Sequence, residues 1–563
     1  MQQSVYSIGG DSSFLKDEAR VYPYHGSYLM SFSKDAHKIR NSITRYTKES
    51  VVQHLLTRLH TVYPDEPKAL GRPWIVCLML EWTLELEPIH GAIPANEKDV
   101  WNILNKIWEL QGKATKFADE DNVWLSLRAF LLTQLRFQTN QIVHNYFLVR
   151  LFSIMCNEGA SRSFRDSFQA QTDIDLEDFF VLSVFFFSIF YSSKKPVIKY
   201  EEFLPKLSPA YPVAVIKQYL SLVGANFEQL QQLMKRRRGE TRGDGDVRAE
   251  EYFSEPLLLE KPILILPEGI STAHPYIASI GLSEFVLRTL KTADSNGFRD
   301  KFTKEFEDYL AYVFDAYNFE TTREEQLKEV YRDNKIQGKV VDFLHQRNGT
   351  SIFIDAKGVE PNQKILVTDQ SNIIKDKLRD THLKGIKQAG ECADKLSGVG
   401  FEDLADYDNR YALIVTHQDF YLGNGVKLAS YLGDEYRQRI DEAVAGKIPL
   451  KNVHFCCVAD LEGILALCNE TETEINEFLD FCSIEEETPE TAKFEMRQHI
   501  QAYAKKLASE KSSPIGSDRL VENYKYLTSE LAGKMSKSRQ FWNKGLVKAP
   551  EFLQYLKIVK ELV

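Results

Sequence analysis

The stretch Gly338–Gly358 reads GKVVDFLHQRNGTSIFIDAKG and is the most informative part of the sequence. Two runs rich in β-branched and aromatic residues flank Asn348-Gly349, and an Asn-Gly pair is the strongest short-range signal for a two-residue hairpin turn. Pairing outward from that turn places Asp342 directly opposite Asp355, with both side chains on one face of the sheet. Lys357 follows Asp355 by two residues and therefore lies on the same face. The sequence thus predicts a β-hairpin that carries two opposed carboxylates and a lysine.

Opposed carboxylates repel each other, so a fold gains from this pair only if a cation lies between them. Mg²⁺ takes oxygen ligands and needs only one or two carboxylates, which makes it the expected ion. The alternative is a solvent-facing pair that Lys357 neutralises. Apolar residues on both faces of the hairpin favour the metal site over this alternative, namely Val340, Leu344 and Phe353 on one face and Val341, Phe343, Ile352 and Ile354 on the other.

Asp342, followed after a twelve-residue gap by Asp355-Ala356-Lys357, resembles the core motif of the PD-(D/E)XK restriction-endonuclease-like superfamily. The resemblance implies that Asp342, Asp355 and the Ala356 carbonyl bind Mg²⁺, with Mn²⁺ as a substitute, and that Lys357 assists the attacking water. Val341 stands in place of the proline that names the motif, a departure that many members share.

Two flanking helices extend the resemblance. Residues 298–316 predict an amphipathic helix whose Phe306-Glu307 pair is similar to the one that directs a glutamate at the metal in family members. Residues 383–396 predict the helix after the motif strand, and its Gln388 is similar to a glutamine found there in some branches. On the same helix, Lys384 and Lys387 are candidates for phosphate contacts. The alternative for all four residues is an ordinary solvated helix surface.

The chain is long enough for three or four domains. We expect a multidomain α and α/β protein with an all-helical sensing or regulatory region at 1–240 and a linker with connecting elements at 241–297. A PD-(D/E)XK-like α/β core with a central mixed sheet is expected at 298–470, followed by a C-terminal helical segment at 471–563. Within that segment the sequence is basic from 493, with 14 Lys+Arg against 7 Asp+Glu.

Charge-dense residues near the first boundary predict an exposed linker. Lys235–Arg238 lead into a polar, Gly-containing run that ends at Asp246, and such a stretch has little apolar surface to bury. Phosphate contact by the basic cluster is the alternative.

Composition and apolar patterning point to a cytoplasmic protein without a membrane segment. The seven cysteines form no CxxC pair, and the amino terminus lacks a basic segment leading into an apolar run. Phe179–Tyr191 is shorter than the roughly 18–20 residues of a membrane span and predicts a buried helix or strand.

The basic C-terminal segment combines cations with aromatic rings, a pairing typical of nucleic-acid binding. A solvated helical bundle with core aromatics is the alternative. The residues concerned are Lys525, Lys534, Lys537, Arg539, Lys544 and Lys548, with Tyr524, Tyr526, Phe541 and Trp542.

Together these features predict a Mg²⁺-dependent endonuclease acting on DNA or RNA, including tRNA. A nuclease joined to a large helical region resembles bacterial phage-defence effectors, so a phage protein is the expected trigger and a homo-oligomer is compatible with the sequence. The net charge of -10 excludes only a polybasic coat protein. The alternative function is a non-catalytic nucleic-acid-binding or interaction protein built on a nuclease-like scaffold.

Overall fold

A computed structural model describes most of the chain between residues 25 and 563. The described ranges are 25–61, 71–114, 123–138, 141–156, 162–193, 195–243, 245–360, 365–366, 371–488, 490–493, 495–507, 518–543 and 548–563. The protein is mostly helical, with two small mixed sheets, a layout compatible with a multidomain α and α/β protein.

Helices dominate the chain ahead of the larger sheet. They are α1 (His25–Ile43), α2 (Lys48–His60), α3 (Pro73–Glu85), α4 (Glu97–Glu109), α5 (Gln111–Ala114), α6 (Val123–Gln138), α7 (Gln141–Met155), α8 (Arg162–Thr172), α9 (Leu176–Ser193), α10 (Tyr200–Leu207), α11 (Val213–Val223), α12 (Phe227–Arg242), α13 (Pro275–Ala293) and α14 (Ser295–Ala316).

The helices that follow α14 surround the larger sheet or form the carboxy-terminal part. They are α15 (Glu324–Asp333), α16 (Ser371–Leu378), α17 (His382–Gly398), α18 (Gly425–Leu432), α19 (Asp434–Val444), α20 (Val458–Thr471), α21 (Ile475–Glu485), α22 (Met496–Lys506), α23 (Asp518–Trp542) and α24 (Ala549–Lys560).

The larger sheet contains the predicted hairpin in the predicted register. Its strands, in spatial order, are β5 (Thr322–Arg323), β6 (Phe343–Arg347), β7 (Thr350–Lys357), β8 (Arg410–Thr416) and β9 (Val453–Cys457). Arg347 pairs with Thr350 and Phe343 with Ile354 around the Asn-Gly turn. Strands β7, β8 and β9 are parallel, so their carboxyl ends meet at one edge of the sheet.

A second, smaller sheet corrects the prediction of an all-helical amino-terminal region. It orders β1 (Ile198–Lys199), β4 (Gly269–Ser271), β3 (Ile263–Leu266) and β2 (Gly224–Ala225) side by side. Both β1 and β2 span only two residues, too short to show the alternation that identifies a strand in sequence. Their partners lie beyond residue 240, so this sheet joins the helical region to the predicted linker.

Three hydrophobic cores hold the protein together. One contains helices α1–α4 and the segment up to Ile280, and a second packs around one face of the larger sheet. The third runs from Leu148 through the other face of that sheet to Val559, so carboxy-terminal helices share a core with amino-terminal ones. Both faces of the hairpin are buried, as the apolar residues on it predict.

The predicted exposed linker at 235–246 is helical up to residue 242, so the linker prediction is wrong there, although most of its described residues are exposed as predicted. Residues up to Arg242 belong to α12, and Arg238 and Arg242 are almost fully buried. They lie one turn apart and meet Glu81 and Glu85, which lie one turn apart on α3, in charge-assisted hydrogen bonds. Two of the carboxylates that neutralise these arginines, Glu81 and Glu85, are more than 150 residues away in sequence, so local composition did not reveal this pairing.

The phenylalanine-rich run forms α9. Among the described helices α9 is the one long and apolar enough to cross a membrane, and 61% of this stretch is buried within the protein.

Candidate functional site

The end of the hairpin places Asp342 against the backbone of β7. Asp342 directly precedes β6, and its Oδ2 accepts a hydrogen bond from the Ala356 N–H at 2.6 Å. This contact ties one carboxylate to the strand that carries the other, because Asp355 is the residue before Ala356. Asp342 thus uses the Ala356 N–H, and the metal-binding role that the motif implies for the Ala356 carbonyl stays a prediction.

Asp355 is fully buried, and among the described residues Lys357 forms an ion pair with it. Lys357 Nζ lies in ion-pair contact with Asp355 Oδ2, and the lysine side chain is 15% exposed. Within the described residues neither Asp355 oxygen accepts a well-aligned hydrogen bond. A buried carboxylate normally has its lone pairs satisfied, so these oxygens have capacity for a further ligand.

The pKa values of both aspartates are raised. Burial, and next the charge of Asp355, raise the pKa of Asp342 to about 7, although Lys357 opposes the shift. Burial also raises the pKa of Asp355 against the opposing charge of Lys357. A divalent cation would lower both pKa values by favouring the ionised forms.

Glu307 on α14 lies within the field of the same groups. Burial, and next the charge of Asp342, raise the pKa of Glu307 to about 8. The side chain is half-buried, whereas the neighbouring Asp308 is exposed. The charge of Asp342 thus acts on Glu307, and the role that the resemblance implies for Glu307 at a metal stays a prediction.

Helix α17 covers the Asp355 side of the site. The charge of Lys384 on this helix acts on Asp355, whereas Lys387 is exposed and lies 3.6 Å from Glu391. Gln388 Nε2 donates to the Val340 carbonyl at 3.3 Å. Gln388 thus connects α17 to the backbone two residues before Asp342.

Two further groups near the site have no signal in the sequence. The charge of Glu324, the first residue of α15, contributes to the raised pKa values of Asp342, Asp355 and Glu307. Burial and the charge of Lys357 lower the pKa of His382 to about 3, which keeps this buried ring neutral. Both lie on elements outside the motif, and only the tertiary fold brings them close.

The residues present fit a hard divalent ion bound through few protein ligands. In the part of the chain that the structure describes, no group of three or more His, Cys, Asp and Glu side chains could hold a metal ion together. A pair of carboxylates is nevertheless the usual protein contribution to a Mg²⁺ site whose remaining ligands are water and phosphate oxygens. The buried Asp355 oxygens, with no aligned hydrogen bond, are the observation that supports this fit.

Aromatic residues of the basic C-terminal segment contact other helices, although Tyr526 is 44% exposed. Trp542 Nε1 donates to the Ser208 carbonyl at 2.6 Å, and the Tyr526 hydroxyl donates to Glu177. Lys534 lies over the Tyr211 ring. These contacts favour the helical-bundle alternative for α23. Lys544 lies outside the described residues, and exposed cations remain at Lys525, Lys537 and Arg539.

No protein-family model matches this chain, and no match was found among curated proteins or solved structures.

Proposed function

We propose that this protein is a Mg²⁺-dependent nuclease that hydrolyses phosphodiester bonds of DNA or RNA, with its centre at Asp342, Asp355 and Lys357. The observation that carries the proposal is the pair of carboxylates at the end of the hairpin. Asp355 is buried, Lys357 lies against it, and in the part of the chain that the structure describes neither of its oxygens accepts an aligned hydrogen bond. A folded scaffold gains nothing from this arrangement, because it leaves buried charge poorly compensated.

The order of elements supports the finer proposal of a PD-(D/E)XK-like core. Helix α14 precedes the β6–β7 hairpin, helix α17 follows it, and β8 then pairs in parallel with β7. Glu307 on α14 and Gln388 on α17 are the residues to which the resemblance assigns roles on these flanking helices. The proposal thus draws on position as well as on residue type.

In this proposal each side chain has a distinct task. Asp342 and Asp355 would hold Mg²⁺, and the bound ion would supply Lewis-acid chemistry for a phosphate and a water. The Ala356 N–H fixes the orientation of the Asp342 carboxylate. Lys357 would offset charge that develops on the phosphate and orient the attacking water, and Glu307 would add a further carboxylate beside the ion once the cation has lowered its raised pKa.

The substrate is proposed to approach from the side of α17, where Lys384 and Lys387 present exposed ammonium groups. A cytoplasmic phage-defence role, triggered by a phage protein, is the broader proposal and rests on the combination of this site with a large helical region.

The test is nucleolytic activity with a matched lysine control. Purified wild type, Lys357→Ala and Lys451→Ala are incubated with plasmid DNA and with total RNA, in Mg²⁺ and in EDTA. Lys451 is exposed and precedes β9, at the edge of the parallel strands opposite to Lys357. We expect Mg²⁺-dependent cleavage by wild type and Lys451→Ala and its loss in Lys357→Ala. Equal cleavage by all three proteins, or cleavage that persists in EDTA, would overturn the assignment, and no cleavage by folded wild type would favour the scaffold alternative.

A further inference from the structure

Helix α6 connects two hydrophobic cores that otherwise belong to different parts of the protein. Its Phe137 is buried in the amino-terminal core with helices α1–α4. Its Leu132 is 1% exposed and lies in the core of the larger sheet, together with Phe420 and Ile365. Helix α6 is therefore a direct physical connection between the amino-terminal core and the core of the larger sheet.

Arg128, one turn before Leu132, fastens α6 to Ile365 and to the segment after β8 at Phe420 and Tyr421. Its guanidinium is almost fully buried and donates to three backbone carbonyls. Nε reaches Tyr421 at 2.9 Å, Nη1 reaches Ile365 at 2.7 Å and Nη2 reaches Phe420 at 2.5 Å. The planar fork of an arginine can satisfy these carbonyls together, and a lysine cannot reproduce the geometry.

The segment that Arg128 holds after β8 has an unusual backbone. Tyr421 adopts a φ of 54°, in the left-handed region that residues with a side chain rarely occupy. Its N–H donates to Asp419 Oδ1 at 2.6 Å, while its carbonyl accepts from Arg128. A conformation of this kind persists only where surrounding contacts impose it, and Arg128 supplies one of them.

A short chain of contacts leads from this segment to the carboxylate pair. The Phe420 ring packs edge-on against His382, with ring centroids 4.5 Å apart. His382 begins α17, whose Gly385 lies directly against the Asp355 carboxylate. A shift of Phe420 therefore displaces the helix that shapes the space around Asp355.

We infer that Arg128 is a positioning residue through which the amino-terminal helical region controls the geometry of the Asp342–Asp355 site. This inference rests on the proposed function, and it gives the helical region a defined mechanical route to the site. Displacement of α6, by a ligand or partner of the amino-terminal core, breaks the three hydrogen bonds and releases the segment around Phe420. The site then loses the support of α17.

The test combines hydrogen exchange with activity in the full chain. Arg128→Gln removes the guanidinium that makes the three hydrogen bonds. Arg128→Lys is a milder variant that keeps the positive charge. Arg72→Gln is the matched control, because Arg72 lies over the Trp108 ring within the amino-terminal core and donates to Asn105. Amide exchange is followed in residues 411–424 and 382–398, together with the Mg²⁺-dependent cleavage rate and with helix content measured by circular dichroism.

Both Arg128 variants are expected to show amide exchange about tenfold faster in those two segments, at unchanged helix content. Cleavage should fall by about 10²-fold, as expected for a misplaced catalytic group. Exchange as slow as in wild type in Arg128→Lys, or the same acceleration in Arg72→Gln, would overturn the inference. If Arg128→Gln does not fold, Arg128→Lys decides. If wild type cleaves nothing, the proposed function fails, and exchange still shows whether Arg128 holds the segments around the site.

Discussion

Gly385 lies so close to Asp355 that a methyl group on its Cα would be 2.7 Å from Asp355 Oδ2. The same methyl group would be 2.9 Å from Ile414 Cδ1, so the space is closed on two sides. Glycine inside a helix lowers helix stability by about 1 kcal/mol relative to alanine. In α17 the glycine stands at the position where a larger residue would collide with the Asp355 carboxylate. The contact shows that the helix and the carboxylate are fitted to each other.

We predict that Gly385→Ala turns the Asp355 carboxylate away from its place and lowers Mg²⁺-dependent cleavage by about tenfold or more. A methyl group on Gly398, at the end of the same helix, would have no other atom within 4 Å, so Gly398→Ala provides the control. Cleavage rates and Mn²⁺ affinity measured by calorimetry for both variants test the prediction. Wild-type values in Gly385→Ala would show that the carboxylate position does not matter.

The raised pKa of Asp342 predicts that the free energy of unfolding depends on pH when divalent cations are absent. Its pKa is raised from 3.8 to about 7 by burial and by Asp355, so the native state binds a proton more tightly than the unfolded state. The free energy of unfolding should therefore fall as the pH rises from about 4 to about 7. The native protein is then destabilised by up to ~4 kcal/mol at pH 8, an upper limit set by the size of the shift.

Asp342→Asn removes this cost, since its amide oxygen still accepts from Ala356 but carries no charge. In EDTA at pH 8 the variant should be more stable than wild type, and the difference should vanish near pH 4. Mg²⁺ should stabilise wild type more than the variant. Urea unfolding at several pH values measures this, and a difference between the two proteins that does not change with pH would contradict the prediction.

Much of the hairpin could be predicted from sequence because its information is local. The Asn348-Gly349 turn fixes the register of five residue pairs, and that register alone brings Asp342 next to β7. By contrast, Glu324 and His382 approach the site only because α15 and α17 pack around the sheet. No spacing rule connects them with Asp342, and no local pattern reveals such a contact.

The amino-terminal region also contains contacts between distant residues that the sequence did not reveal. Lys235–Arg238 have the composition of a solvated segment, yet Arg238 bonds Glu81, 157 residues away. Local composition shows how many charged groups need a partner. It does not show whether that partner is water or a carboxylate distant in sequence. Arg128 is a comparable case, since its three acceptors are backbone carbonyls that carry no sequence signal.

Glu307 should matter for activity and its neighbour should not. Glu307→Gln removes a carboxylate whose pKa is raised to about 8 by burial and by Asp342, and we expect about a tenfold or greater loss of cleavage at low Mg²⁺ concentration. Asp308→Asn changes an exposed acid at the next position and should behave as wild type. The Mg²⁺ dependence of the cleavage rate for both variants is the measurement. Equal losses in the two would assign the effect to general charge on α14.

The buried ion network of the amino-terminal core predicts a large effect on stability. Arg238 is 4% exposed and bonds both Glu81 and Glu251, so Arg238→Ala leaves two buried carboxylates with reduced compensation. Removing one partner from such a network costs about 3–5 kcal/mol. Arg236 is exposed on the same helix, and Arg236→Ala should change the free energy of unfolding by less than about 0.5 kcal/mol. Urea unfolding of both variants distinguishes the buried network from a solvated linker, because a linker would make the two substitutions equally silent.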